Sequence, residues 1–151
     1  MKNKALFNDT VQILVNAYLN NTLEPGNCHA CAVGNIIAAK LNVKYDQHLK
    51  WIDRPVAWSG VFVTLSSKIA QVKRPWACTG EAQAQINTTG YSWQELARLE
   101  YAFERAPGGK TKEEWMFNGL MAVVEVLSQI HEMDEQTKTA AKRLLLAAQA
   151  G

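Results

Sequence analysis

Residues 92–130 read SWQELARLEYAFERAPGGKTKEEWMFNGLMAVVEVLSQI, and the spacing of side chains in this stretch decides the fold. Ser92 with Glu95 three residues on forms a capping box, in which each side chain satisfies a backbone N–H of the other residue. Trp93, Leu96, Leu99 and Phe103 then recur at helical spacing until Pro107-Gly108-Gly109 ends the run. Thr111 and Glu114 repeat the capping pattern. Met116, Leu120, Val123, Val124, Leu127 and Ile130 follow as a broad apolar face, as expected of a central helix. Further on, Asp134 is placed to cap a last helix whose narrower face carries Thr137, Ala141, Leu144, Leu145 and Ala148.

Toward the N-terminus, Asn8 or Asp9 is expected to cap a first helix. Phe7, Val11, Leu14 and Tyr18 set its face, and Asn20, Asn21 and Pro25 end it. Residues 32–41 are small and apolar nearly all round, which predicts a short helix buried on several sides, with Gly34 permitting close helix contact. Residues 42–90 hold Pro55, Pro75, Gly60, Gly80 and Gly90 among scattered tryptophans, with one β-like run at 61–65. Short helical turns and loops, and no sheet, are expected there. The sum is one all-α domain over residues 1–151, a bundle of about five helices with an irregular middle segment at 42–90. Its core is expected to rest on Trp93, Leu96, Phe103, Leu120, Val124 and Leu127.

A chain of 151 residues that is 48% hydrophobic and 20% charged can bury a substantial core. No run approaches the ~18 consecutive apolar residues of a membrane span, and residues 1–9 lack the pattern of a signal peptide. A cytoplasmic protein without a membrane partner is the expectation. Three cysteines, an odd number, read as reduced thiols rather than a disulfide framework. Net charge is +2, but residues 1–78 carry nine Lys/Arg against four Asp/Glu, and residues 79–151 carry seven against ten. The front half can attract an anion or dock on its own acidic back half.

The densest chemistry is Cys28-His29-Ala30-Cys31, which follows a Pro25-Gly26 turn and opens an apolar run. Two thiols at this spacing, beside a helix N-terminus that favours thiolate, suit a metal or redox pair. A zinc site needs three or four ligands. Cys28 and Cys31 have the spacing of a zinc knuckle, Cys78 is a third candidate, and His29, His48 or His131 a fourth. In a redox reading Cys28 attacks and Cys31 resolves, but the strand-then-helix context of thioredoxin-like motifs is absent here. Free cysteine is also among the most buried residue types, and packed thiols are the preferred reading.

Lys40, Lys44, Lys50, Arg54, Lys68, Lys73 and Arg74 are interleaved with Tyr45, Trp51, Trp58 and Trp76. Such a mixture can grip single-stranded nucleic acid, with Lys73, Arg74 and Trp76 its centre, although dense tryptophan more often serves core or interface. Glu100 and Glu104 share a helix face and could hold a cation or act as an acid–base pair. With Arg98 and Arg105 nearby, a solvated face is the expectation. Other motifs fail. Gln85 and Leu96 would occupy the end ligand positions of a calcium loop built on Gly90, and Glu135 stands where the second histidine of a zinc-protease motif starting at His131 belongs. The helical pattern from Ser92 runs on to Phe103 without the turn a helix-turn-helix reader needs.

Two segments, 27–35 (NCHACAVGN) and 86–104 (INTTGYSWQELARLEYAFE), resemble a family of small proteins found in gut bacterial genomes and their phages or prophages. The resemblance covers about a fifth of the chain. It implies a phage-associated role and carries no activity, cofactor or catalytic residue. The expected function is that of a small, non-enzymatic binding or adaptor protein for an unidentified protein partner, with a structural two-thiol loop. Thiol–disulfide redox or zinc binding at Cys28 and Cys31, and single-strand nucleic-acid binding through 40–78, are the alternatives. Self-association is expected if the last two helices leave apolar faces uncovered.

Overall fold

The computed structural model describes residues 2–23, 31–41, 81–106 and 108–151. Among them are six α-helices and no strand: α1 (Lys4–Leu19), α2 (Ala32–Leu41), α3 (Glu81–Thr88), α4 (Trp93–Arg105), α5 (Lys112–Ile130) and α6 (Glu135–Ala150). The all-α expectation holds. One helix more than expected is present, because α3 lies inside the segment read as irregular. The β-like run at 61–65 lies outside the described residues.

Helix α5 is the hub. It packs along α4 on one side and α6 on the other and also reaches α1, while α2 touches α1, α3 and α4. All six positions of its predicted apolar face are buried. Each such side chain contributes about 1.5–3 kcal/mol by leaving water. In the same core lie Leu96, Leu99 and Phe103 of α4, Phe7, Val11 and Leu14 of α1, and Ala141 and Leu145 of α6. Trp93 is only partly buried at the edge of the core. Helices α4 and α5 cross closely at Gly119 of α5, where a β-carbon would stand 2.7 Å from the Phe103 carbonyl oxygen.

Capping explains most of the helix boundaries. Ser92 and Glu95 form the full reciprocal box, with Ser92 Oγ accepting from the Glu95 N–H at 3.1 Å and Glu95 Oε1 from the Ser92 N–H at 2.8 Å. Thr111 makes half of one. It accepts from the Glu114 N–H, but Glu114 reaches past it to the N–H of Lys110. Asp134 caps α6 through the Thr137 N–H at 2.7 Å. Helix α1 starts earlier than expected, because Asn3 and not Asn8 or Asp9 caps it, through the Leu6 N–H at 2.9 Å. Asp9 instead pairs with Lys40 of α2.

The end of α1 is a Schellman turn, with Asn21 at φ 57° and the Thr22 N–H reaching back to the Ala17 carbonyl. The end of α5 repeats it with Glu132 at φ 54° and the Met133 N–H on the Ser128 carbonyl. On α6 the expected face is half right: Ala141 and Leu145 are buried, whereas Leu144 is 48% exposed. Leu144 instead lines an open groove of about 480 Å³ between α1 and α6, together with Val11, Ala140 and Ala141.

Candidate functional site

Cys31 stands immediately before α2 and acts as its cap. The Asn35 backbone N–H and side-chain amide both donate to the Cys31 carbonyl at 3.0 Å, and the Gly34 N–H donates to Cys31 Sγ at 3.4 Å. Asn35 also donates to the Thr22 carbonyl and accepts from the Thr22 hydroxyl, so this corner is tied to the end of α1. Gly34, expected to ease helix contact, contributes here through its backbone N–H.

The Cys31 side chain is fully buried and meets Glu100 of α4. Burial and the Glu100 carboxyl push the thiol well above its usual range, so it is neutral and donates to the carboxyl. Glu100 is itself only 3% exposed. Burial raises its affinity for a proton, and the Glu104 carboxylate one turn on raises it further. Hydrogen bonds from Cys31 and the Val33 N–H oppose the rise, and the net result is a carboxyl pushed up to about 8. At neutral pH Glu100 is therefore a carboxylic acid. Its Oε2 atom is buried without a hydrogen-bond partner.

This corrects the expected solvated face: Glu100 points inward and Glu104 is half-buried. A signal was present in the sequence, since Glu100 follows Leu96 by four residues and precedes Phe103 by three, inside the apolar stripe. The corner joins two features that sequence reading kept apart, the second thiol of the Cys28/Cys31 pair and the Glu100/Glu104 pair. Of the other candidate residues, Cys28, Cys78, His29, His48, Lys73, Arg74 and Trp76 lie outside the described residues. Among the described residues no three His, Cys, Asp or Glu side chains stand close enough to share a metal ion. The zinc reading therefore has Cys31 alone of its three thiols in view, with its sulfur engaged by Gly34 and Glu100.

The chain matches no known protein family, no curated protein and no solved structure. What the corner can do is therefore read from its chemistry. A fully buried neutral thiol is a poor nucleophile, because the thiolate is the reactive form and desolvation disfavours it. A neutral carboxyl at a helix N-terminus is consistent with the same dry environment.

A second buried polar cluster was not anticipated. Thr10 of α1, Tyr91 before α4 and His131 at the end of α5 are each at most 3% exposed. The Thr10 hydroxyl donates to the Leu6 carbonyl at 2.8 Å, which leaves its oxygen to accept from Tyr91 Oη, also at 2.8 Å. Tyr91 Oη in turn lies 2.9 Å from His131 Nε2, so the ring nitrogen is the donor in that contact. The His131 ring stands edge-on to both Phe7 and Tyr91. Burial pushes the Tyr91 hydroxyl well above its usual range, and it keeps its proton. His131, weighed above as a zinc ligand, thus spends Nε2 on Tyr91. No described helix is long and apolar enough to cross a membrane.

Proposed function

We propose that this chain is a non-catalytic, all-α binding or adaptor protein in which the Cys28–Cys31 loop serves structure. The supporting observation is the state of Cys31: fully buried, capping α2 through Gly34, and held as a neutral thiol against Glu100. Such a sulfur contributes packing and a cap rather than chemistry. Association with a phage or prophage is part of the same proposal and rests on the resemblance of residues 27–35 and 86–104. Neighbouring phage genes in the genomes that encode the chain would support it.

Labelling with a thiol-specific reagent at neutral pH, with the modified cysteine located by fragment mass spectrometry, tests the reading. Cys31 is expected to react only after the chain unfolds. A Cys31 that reacts rapidly in the folded protein overturns the proposal in favour of thiol–disulfide chemistry. One zinc per chain, lost in Cys31→Ser, overturns it in favour of a zinc protein.

A further inference from the structure

Helix α6 is held to the bundle by a narrow edge. Of its 16 residues, Ala141 and Leu145 alone are buried, and Glu125 of α5 accepts from both Lys138 and Lys142. The uncovered remainder is not uniformly polar. Leu144 and Leu146 are each 48% exposed, and Ala140 and Ala147 are exposed as well. Positions 140, 144 and 147 recur at helical spacing and form one face, which borders the groove of about 480 Å³ toward α1. Leu146 lies on the far side of the helix, because two residues turn it by more than half a circle.

This face is complementary to itself. Leu144 stands one turn beyond Ala140, and one turn before Ala140 the groove opens between Asn8 and Val11 of α1 and Gln136 and Thr137 of α6. A half-turn rotation about Ala140 therefore exchanges a protruding leucine with a place that receives one, the arrangement an isologous contact requires. Charge has the same sense. Lys138 and Lys142 are engaged by Glu125, which leaves Arg143 as the exposed cation of this face, in no ion pair among the described residues. Asp134, exposed at the start of the helix, carries the opposite charge and gives one oxygen to the Thr137 N–H. A second α6 running the other way lays its Arg143 over this Asp134 end. It also sets its last turn, rich in unsatisfied carbonyls, beside the helix start where Lys4 lines the groove. A parallel copy would align like ends.

We propose that two copies of this chain pair antiparallel along α6 about a two-fold axis at Ala140, each inserting Leu144 into the α1–α6 groove of the other. The small Ala140 side chain permits close approach on the axis, and Arg143 of each copy reaches the Asp134 carboxylate of the other. Helix α6 is about 24 Å long, so the contact lies toward the small end of stable interfaces, and a reversible dimer with a micromolar dissociation constant is expected. The pairing is independent of the packed-thiol reading, since Cys31 stands before α2 and lines no part of this groove.

Sedimentation velocity on the full chain, from about 2 to about 200 µM, tests the pairing. The wild type is expected to pass from one chain to two as concentration rises. Leu144→Glu should weaken association about a hundredfold and stay single throughout, because a two-fold contact loses two leucines and gains two charges. Leu144→Ala should weaken it about tenfold. Leu146→Glu changes an equally exposed leucine on the other side of α6 and should leave the wild-type curve unchanged. In Ala140→Cys, a short bis-maleimide is expected to link residue 140 to residue 140, as read by mass spectrometry of the linked peptides.

A wild type that remains a single chain across this range overturns the proposal. So does a dimer that Leu144→Glu leaves intact, which would mean another face or an exchange of helices between copies. Equal weakening by Leu144→Glu and Leu146→Glu overturns it as unspecific apolar association, and growth beyond two chains overturns it because a closed two-fold contact stops at two. Links from residue 140 only to other positions overturn the axis. If Leu144→Glu loses helix content by circular dichroism, Leu144→Ala and the 140-to-140 link decide the question.

Discussion

Two buried polar clusters among the described residues are built on opposite terms. In the Thr10–Tyr91–His131 chain each hydroxyl both gives and receives a hydrogen bond, so three segments are joined at little cost. In the Cys31–Glu100 corner a carboxyl is buried beside another carboxylate, and one of its oxygens bonds to nothing. The first cluster behaves as a structural joint. The second holds a proton that burial and the neighbouring Glu104 carboxylate keep in place, so its contribution to stability depends on pH.

Replacing Glu100 with Gln should produce the largest separation between the clusters, and its sign follows from proton counting. The folded chain keeps the Glu100 proton to about pH 8, whereas an unfolded carboxyl releases it near its ordinary value of 4.5. Between those values the folded state holds more protons, so wild-type stability falls as pH rises through that window. Glu100→Gln should not show this fall. Urea titrations at pH 5 and pH 8.5 are expected to find the wild type losing on the order of 3–5 kcal/mol relative to the variant. Parallel profiles would erase the contrast drawn between the two clusters.

The satisfied cluster should respond in the opposite sense. Tyr91→Phe removes one oxygen and strands His131 Nε2 and the Thr10 hydroxyl oxygen, which should cost about 1–3 kcal/mol in the same denaturation measurement. Adding Thr10→Val should cost less in that background than alone, because the pair acts as a unit. Strict additivity would show that the joint is only a set of adjacent contacts.

The smallest effect separates the two roles of Cys31. Cys31→Ala removes the acceptor for the Gly34 N–H and should cost about 0.5–2 kcal/mol. Cys31→Ser keeps both an acceptor for Gly34 and a donor for Glu100, and should lie nearer the wild type. Equal melting temperatures for the two variants would remove the cap from the account.

Helix positions were legible because their signals are local. The capping box at Ser92 and Glu95, the cap at Asp134, and the small apolar run of α2 act within a few residues of themselves. The misplaced cap on α1 shows where that reading reaches its limit. Asn3, Asn8 and Asp9 are all competent caps, and the helix extends to the earliest because Phe7 belongs to the core and carries its preceding turn with it. At the candidate site, Cys31 was legible from its motif and Glu100 only as half of an acidic pair. Glutamate on a helix face is ordinarily solvated, and nothing local says which segment will cover it.

The sequence by itself therefore determined that the chain is helical, where most of its helices begin and end, and which faces of α4 and α5 are apolar. These depend on backbone hydrogen bonds and side-chain spacing within a turn or two. Only the tertiary structure decided that Glu100 lies sealed against the start of α2, that Leu144 faces a groove, and that Thr10, Tyr91 and His131 share hydrogen bonds. Burial and long-range pairing are properties of what packs opposite a residue, and a carboxyl or an imidazole takes its protonation and its role from that neighbour.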